Sequence, residues 1–336
     1  MKELQNTMGN LDRVRESGIV PISGIPQSES ERYGGKAANL ARLQRMGINV
    51  PEGFSVPSSV FTDVVISNLE AQNLIRTISD SNDIDAILTY TANLRRIIEN
   101  IEIPEGARSE ILGAYRKLRE KSNLEEPKFA IRSSATVEDR DDFSFAGQAR
   151  SFLCVSKEED ILECIKGVWA SAFTPEAVFY LRDNNVSLSK ARMATVVQEV
   201  IPAEVSGVMF TVNVISKNTE QLLLNATWGL GETLVSGKVV PDTYVVGKKN
   251  LNLVEQRMGS KKRMCIPEGS ENGEYTKIVE TPQSKRDRYS LSHREIKNIS
   301  QIGLQIERYF ESAQDIEWCL IDGDIAIVQS RPITTI

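Results

Sequence analysis

The 336-residue chain contains a single histidine, His293, and only four cysteines, at positions 154, 164, 265 and 319. No two cysteines stand in C-x-x-C spacing, so a zinc centre of thiolate and imidazole ligands is not expected. Ser-His-Asp or Cys-His catalysis would have to run through His293 alone. Long apolar runs are also missing, with none approaching the roughly 18–20 residues of a membrane span. The N-terminal stretch MKELQNTMGNLDRVRESG is mixed in charge and lacks the apolar segment of a secretory signal. These absences point to a cytoplasmic protein with reduced thiols. Positive charge is not in excess either: 40 Lys and Arg stand against 46 Asp and Glu, a net −6. That balance disfavours nucleic acid or a membrane surface as a partner.

What is present suits a folded enzyme. Hydrophobic residues make up 40% and charged residues 26% of the chain, enough for a sizeable core. The length favours two lobes or one large α/β unit. Residues 1–30 read as a polar, loosely attached arm. Residues 31–198 read as a helix-rich lobe, with helices over 58–123 broken by turns at 79–83 and 104–106, and another helix over 158–182. Within it, FAIRSS at 129–134 and residues 152–155 read as strands. From 199 to 336 the pattern is sheet-rich, closing with a helix near 292–310 and a hairpin around Asp322-Gly323. The class expected is α+β. The segment 257–290 is polar, and composition leaves open an ordered insertion or a mobile lid.

Several groups could carry chemistry. Gly34-Gly35-Lys36 opens a helix, where backbone N–H groups and a lysine can meet an anion; alternatively it is a plain turn with a surface lysine. It is not G-x-x-x-x-G-K-[ST], because Ala37 offers no hydroxyl. Arg132, flanked by Ser133 and Ser134 at a strand end, suits a bidentate phosphate clamp or an ion pair with the acidic loop at 138–142. Gln198, Glu199, Val200 and Ile201 lie at the lobe boundary and either offer backbone groups to a flat heterocycle or simply connect. Trp228-Gly229-Leu230-Gly231-Glu232-Thr233 is a ligand-facing loop or a structural turn.

The closing hairpin carries Glu317 on its first strand, and Gln329 and Arg331 on its second. A loop with an odd number of residues, such as three with Gly323 left-handed, would put Glu317 and Gln329 on one face; a two-residue loop would oppose them. Ile316, Trp318, Leu320, Ala326 and Val328 would then form the core face. A carboxylate and an amide oxygen beside an arginine suit magnesium and phosphate, or else an ordinary solvated face. His293 and the triplet Lys261-Lys262-Arg263 read as solvated surface, and Trp169 and Trp318 as core.

In order, GGKAANLARLQRMGINVPEGFSV, FAIRSSATVEDRDDFSFAGQ, QEVIPAEVSGVMFT, ATWGLGETLVSGKVVPD and IEWCLIDGDIAIVQSRP resemble the ATP-binding domain of the phosphoenolpyruvate synthase and pyruvate phosphate dikinase family, shared with rifampin phosphotransferases. The resemblance covers about residues 30–336. It implies an ATP-grasp-like fold of two lobes clamping ATP and Mg2+. It also implies that Lys36 and Arg132 contact the phosphates, that Gly147 lies in a loop closing over them, and that Gln198, Glu199, Val200 and Ile201 hold adenine. Glu232 would add polar contacts, Glu317 and Gln329 would hold magnesium, and Arg331 would take a phosphate. In such enzymes the β-phosphate passes to a histidine on a swivelling domain, giving AMP and phosphate.

Here the sequence departs, for it ends five residues past Arg331 with neither a swivelling domain nor an acceptor-binding domain. His293 sits in the wrong context to be the carrier. The expectation is a dikinase-type module whose carrier histidine lies on another domain or chain, with pyruvate, a rifamycin-like antibiotic or another small molecule as final acceptor. The alternatives are an ATP-grasp ligase-like activating subunit and a non-catalytic ATP-sensing module.

Overall fold

The computed structural model describes residues 18–135, 150–271 and 274–334. The first part of the chain runs β1 (Val20–Pro21), α1 (Ser30–Arg45), β2 (Gly53–Val56), α2 (Ser58–Phe61), α3 (Leu69–Asp80), α4 (Ile84–Asn100) and α5 (Glu105–Lys121). It continues with β3 (Phe129–Ala135), β4 (Ser151–Val155), α6 (Glu158–Ala170), α7 (Pro175–Asp183) and β5 (Met193–Glu199). Then follow β6 (Val205–Phe210), β7 (Gln221–Trp228), α8 (Glu232–Val235), β8 (Asp242–Gly247), β9 (Leu253–Arg257), β10 (Arg263–Glu271) and β11 (Glu274–Glu280). The chain closes with α9 (Gln283–Arg286), α10 (His293–Phe310), β12 (Gln314–Ile321) and β13 (Asp324–Pro332). The architecture is mixed α and β, and no helix among the described residues is long and apolar enough to cross a membrane.

Capping chemistry sets the helix boundaries. The Asn68 side chain accepts from the Ala71 N–H and starts α3; Asp83 does the same for α4 through the Asp85 and Ala86 N–H groups. The tract at 58–123 therefore breaks once more than expected, because an asparagine cap satisfies orphan N–H groups. The helix expected over 158–182 also splits. Thr174 caps α7 and Pro175 takes its first turn, where a missing N–H does no harm. Ser292 and Glu295 form a reciprocal capping box at the start of α10.

Every strand pairing is antiparallel. One sheet has the order β1-β2-β5-β3-β4, the other β13-β12-β6-β7-β8-β9, and β10-β11 is a separate hairpin. The polar segment 257–290 thus contains an ordered hairpin, with Cys265 and Tyr275 buried. Two expectations are corrected here. Residues 18–29 are packed: Ile22 and Ile25 are fully buried, and Val20 and Pro21 pair with β2. Lys261, expected in solvent, is fully buried because Asp242 accepts from its Nζ at 2.5 Å.

Two cores follow from the two sheets. Helices α2–α7 pack on the five-stranded sheet around Trp169, Phe61, Phe173, Tyr115 and Phe129. The second core joins α1 (Leu40, Leu43) and α10 (Ile299, Ile306) to the six-stranded sheet around Trp318 and Tyr244. Gly207 lies under the Trp318 ring, where any Cβ would collide with it. Helix α1 touches both β3 of the first sheet and β13 of the second, so it is one physical link between them.

Candidate functional site

The site begins at the glycine turn in α1. Gly34 adopts φ 76 and ψ 160, interrupting the helix, a conformation open to glycine at little cost. A Cβ there would also collide with the Ser134 carbonyl, so the absent side chain lets α1 lie directly on β3. The Ser134 hydroxyl accepts from the Ala37 N–H at 3.1 Å, capping the resumed helix from another strand. Lys36 Nζ donates to the Ser133 carbonyl at 2.7 Å. The two serines beside Arg132 therefore seat the lysine helix.

The closing hairpin reaches the expected same-face arrangement by another route. Its loop is the two-residue turn Asp322-Gly323, with φ of 51 and 85, the positive pair that tight hairpins favour. Cys319 pairs with Ala326 and Trp318 with Ile327, yet Glu317 pairs with Gln329. Val328 is thus a β-bulge, the extra residue that restores parity. The core face is corrected accordingly: Ile327, fully buried, faces Trp318, and Val328 leaves the alternation. Arg132 Nη1 donates to the bulged Val328 carbonyl at 3.1 Å, while Nη2 donates to Glu317 Oε2 at 2.7 Å and Gln329 Oε1 at 3.0 Å. Arg132 Nε is buried with no hydrogen-bond partner among the described residues.

Asp315 belongs to the same face, and sequence reading missed it although it lies two residues before Glu317. It pairs with Arg331 across the hairpin and accepts from that guanidinium at 2.8 and 2.7 Å. Burial pushes the Asp315 carboxyl upward, opposed by Arg331 and aided by the Glu317 charge. Burial also disfavours ionised Glu317, but Arg132, Lys36 and Arg331 outweigh it and hold that carboxyl below its usual range. Among the described residues, three cations therefore surround Glu317 and one of them also pairs with Asp315, a net charge of +1 for the five groups. Asn39 Nδ2 donates to the Ser330 carbonyl at 3.2 Å and Asn49 Nδ2 to the Ile325 carbonyl at 3.0 Å, fixing α1 and its following loop to β13.

The other expected residues lie elsewhere. Gln198 is buried between Gly53 and Ala130 of neighbouring strands, and its Nε2 donates to the Pro51 carbonyl at 3.2 Å. The Glu199 and Val200 N–H groups donate to the Glu52 and Lys128 carbonyls, and Ser122 donates to the Glu199 carboxylate. Ile201 follows where the chain leaves the sheet. Because Gln198 faces Ala130, this segment lies two to four residues along β3 from Arg132, up to about 13 Å at strand rise. Glu232 Oε2 accepts from the Thr276 hydroxyl at 2.8 Å and from the Cys265 thiol at 3.4 Å. Burial, reinforced by Glu232, pushes that thiol up to about 12. Gly147 lies outside the described residues.

The donor set on this hairpin face is all oxygen: the Glu317 carboxylate and Gln329 amide carbonyl bonded to Arg132, and the Asp315 carboxylate bonded to Arg331. That suits magnesium in type. No three His, Cys, Asp or Glu side chains converge among the described residues, so an ion held here would also draw on Gln329, phosphate oxygens and water. The orphaned Arg132 Nε fits a phosphate, whose oxygen would satisfy it.

Residues 30–336 match the family model described as "Pyruvate phosphate dikinase, AMP/ATP-binding domain". A probable phosphoenolpyruvate synthase of Methanocaldococcus jannaschii is 37% identical over 335 residues, covering 99% of this chain and 28% of the relative. The rifampicin phosphotransferase of Streptomyces sviceus is 36% identical over 331 residues, 97% of this chain and 37% of that protein. The phosphoenolpyruvate synthase of Pyrococcus furiosus is 33% identical over 352 residues, 93% and 43% respectively. The chain spans less than half the length of the curated relatives it matches.

Proposed function

The chain belongs to the pyruvate phosphate dikinase AMP/ATP-binding domain family, and on that premise we propose that it is the MgATP-binding module of a dikinase-type phosphotransferase. The observation that carries this is the convergence of Lys36, Arg132 and Arg331 on Glu317, with Gln329 bonded to Arg132 and a buried arginine nitrogen that has no partner among the described residues. The two antiparallel sheets are the lobes of an ATP-grasp-like clamp, with residues 31–198 in one lobe apart from α1, which crosses between them, and with Glu199, the last residue of β5, leading into the other. Four buried free thiols suit the cytoplasm.

Lys36, Arg132 and Arg331 take the phosphate chain. Glu317 and Gln329 hold magnesium, with Asp315 orienting Arg331. When bound, the ion neutralises charge on the phosphate oxygens. β3 forms a rail between the phosphate end at Arg132 and an adenine end at Gln198, Glu199, Val200 and Ile201, with Glu232 as a polar neighbour. Phosphoryl transfer needs positioning and charge neutralisation more than a protein nucleophile, which matches a site where three cations gather around paired carboxylates.

The β-phosphate then passes to a histidine on a separate domain or chain as its bond to AMP breaks, and the γ-phosphate is transferred to water, leaving AMP and phosphate. His293 is not that histidine, since it opens α10 inside a capping box. The final acceptor is pyruvate, a rifamycin-like antibiotic or another small molecule, in keeping with the relatives' names. The test supplies the carrier domain of a relative in trans with ATP labelled at the β-phosphate. Acid-labile label on the carrier and AMP in equal amount are expected; ADP as the product would contradict the proposal.

A further inference from the structure

Arg132 sits on the very oxygens read as metal ligands: one nitrogen, Nη2, bonds both Glu317 Oε2 and Gln329 Oε1. We propose that Arg132 is the selectivity element of the site, a resident cation that keeps a free divalent ion off these oxygens and yields them only to an ion arriving with a polyphosphate chain. The inference rests on Glu317 and Gln329 being the metal ligands, as proposed above.

The chemistry is a competition for shared lone pairs. Magnesium binds oxygen at about 2.0–2.1 Å, so an ion on Glu317 or Gln329 would lie within a few ångströms of a guanidinium bonded to the same atoms. Arg132 and Glu317 are only 14% and 19% exposed, so water screens that repulsion poorly. A phosphate chain changes the balance in two ways. It brings negative charge between the two cations. It also offers oxygens to the guanidinium, including one for the orphaned Nε, in the forked geometry arginine favours.

Of the three cations, Arg132 bonds both proposed ligands, while Lys36 bonds the Ser133 carbonyl and Arg331 bonds Asp315. Because Arg132 stands on β3 and the oxygens on the β12-β13 hairpin, its contact also ties the two sheets together. Exchanging carboxylate for phosphate would therefore loosen one cross-sheet tie as the nucleotide supplies another.

The test uses the 336-residue chain and Mn2+ as an electron-spin probe, titrated with and without ATP at pH 8. Arg132→Gln removes the charge and keeps a hydrogen-bonding group; Arg132→Lys keeps the charge. Arg132→Gln is expected to bind Mn2+ without nucleotide about tenfold tighter than the wild type, and Arg132→Lys no tighter. Equal binding by the wild type and Arg132→Gln would overturn the inference. If Arg132→Gln does not fold, the wild type decides: binding of metal-free ATP in chelator without appreciable binding of free Mn2+ supports it. Free Mn2+ bound as tightly as in the presence of ATP overturns it. Glu317→Gln separates the two levels. Loss of Mn2+ binding with ATP in this variant, but no gain in Arg132→Gln, removes only the inference; retained binding in Glu317→Gln removes the ligand assignment and the inference with it.

Discussion

Two ion pairs inside this molecule look alike in composition and differ in saturation. Asp242 and Lys261 are both fully buried. Asp242 Oδ1 accepts from Lys261 Nζ and the Gly259 N–H, and Oδ2 from the Ser290 N–H and hydroxyl. Lys261 Nζ also donates to the Gly259 carbonyl. The pair is neutral, closed on both carboxylate oxygens, and stitches β8 to the β9–β10 connection at 259–261 and the α9–α10 connection at 290. Arg132 and Glu317 are instead partly exposed, stand beside Lys36 and the Arg331–Asp315 pair with one positive charge in surplus among the described residues, and leave Arg132 Nε without a partner among those residues. A satisfied buried pair organises a fold, whereas an unsatisfied one with net charge is a place for a ligand.

Removing one partner should separate the two pairs most strongly at Lys261. Lys261→Met leaves Asp242 charged and buried, and is expected to cost about 3–5 kcal/mol in denaturant unfolding, with ATP affinity unchanged in the fraction that remains folded. A loss of under about 1 kcal/mol would mean that the amide and hydroxyl donors alone sustain Asp242. Arg132→Ala should act on binding instead, weakening ATP by about 1.5–3 kcal/mol as for a lost charge-assisted bond; unchanged affinity by fluorescence titration would assign that arginine to the hairpin alone. Ser134→Ala removes the cap that seats the Lys36 helix. It should lower stability by about 0.5–2 kcal/mol, read as a drop in melting temperature.

The smallest effect is in pH. Because the folded Glu317 carboxyl titrates below its usual range, its pair with Arg132 stabilises fully above about pH 4.3, the free glutamate value. That contribution disappears as pH falls through the lower folded value. Acid unfolding of Glu317→Gln should therefore lack this part of the acid limb, and an identical acid profile would show that the pair adds nothing to stability.

Much of the unsaturated pair was legible because its chemistry is periodic. Glu317 and Gln329 are set by strand alternation, Gly34 and Lys36 by a glycine at a helix start, and Trp318 by its place on the core face. The bulge at Val328 was not legible, since nothing in Asp-Ile-Ala-Ile-Val-Gln fixes where a strand takes an extra residue; tertiary contact with Arg132 gives that carbonyl its partner. Asp315 could have been found by the same alternation, two residues before Glu317. The saturated pair was invisible for a different reason. Lys261-Lys262-Arg263 has the composition of a solvated turn, and only the long-range approach of Asp242 makes burial of Lys261 tolerable. The hairpin at β10 and β11 was obscured likewise, because its outward residues are charged and its buried ones few. Asn68 and Thr174, which divide the helices, act through single side-chain caps rather than through hydrophobic period.

Calorimetric titration with ATP, with and without magnesium, on the wild-type chain and on Glu317→Ala, bears on the account at its root. Binding strengthened by magnesium in the wild type, with the strengthening abolished in a folded Glu317→Ala, is the expected result. Magnesium-dependent binding that survives in Glu317→Ala, or no ATP binding by the wild type, would contradict it.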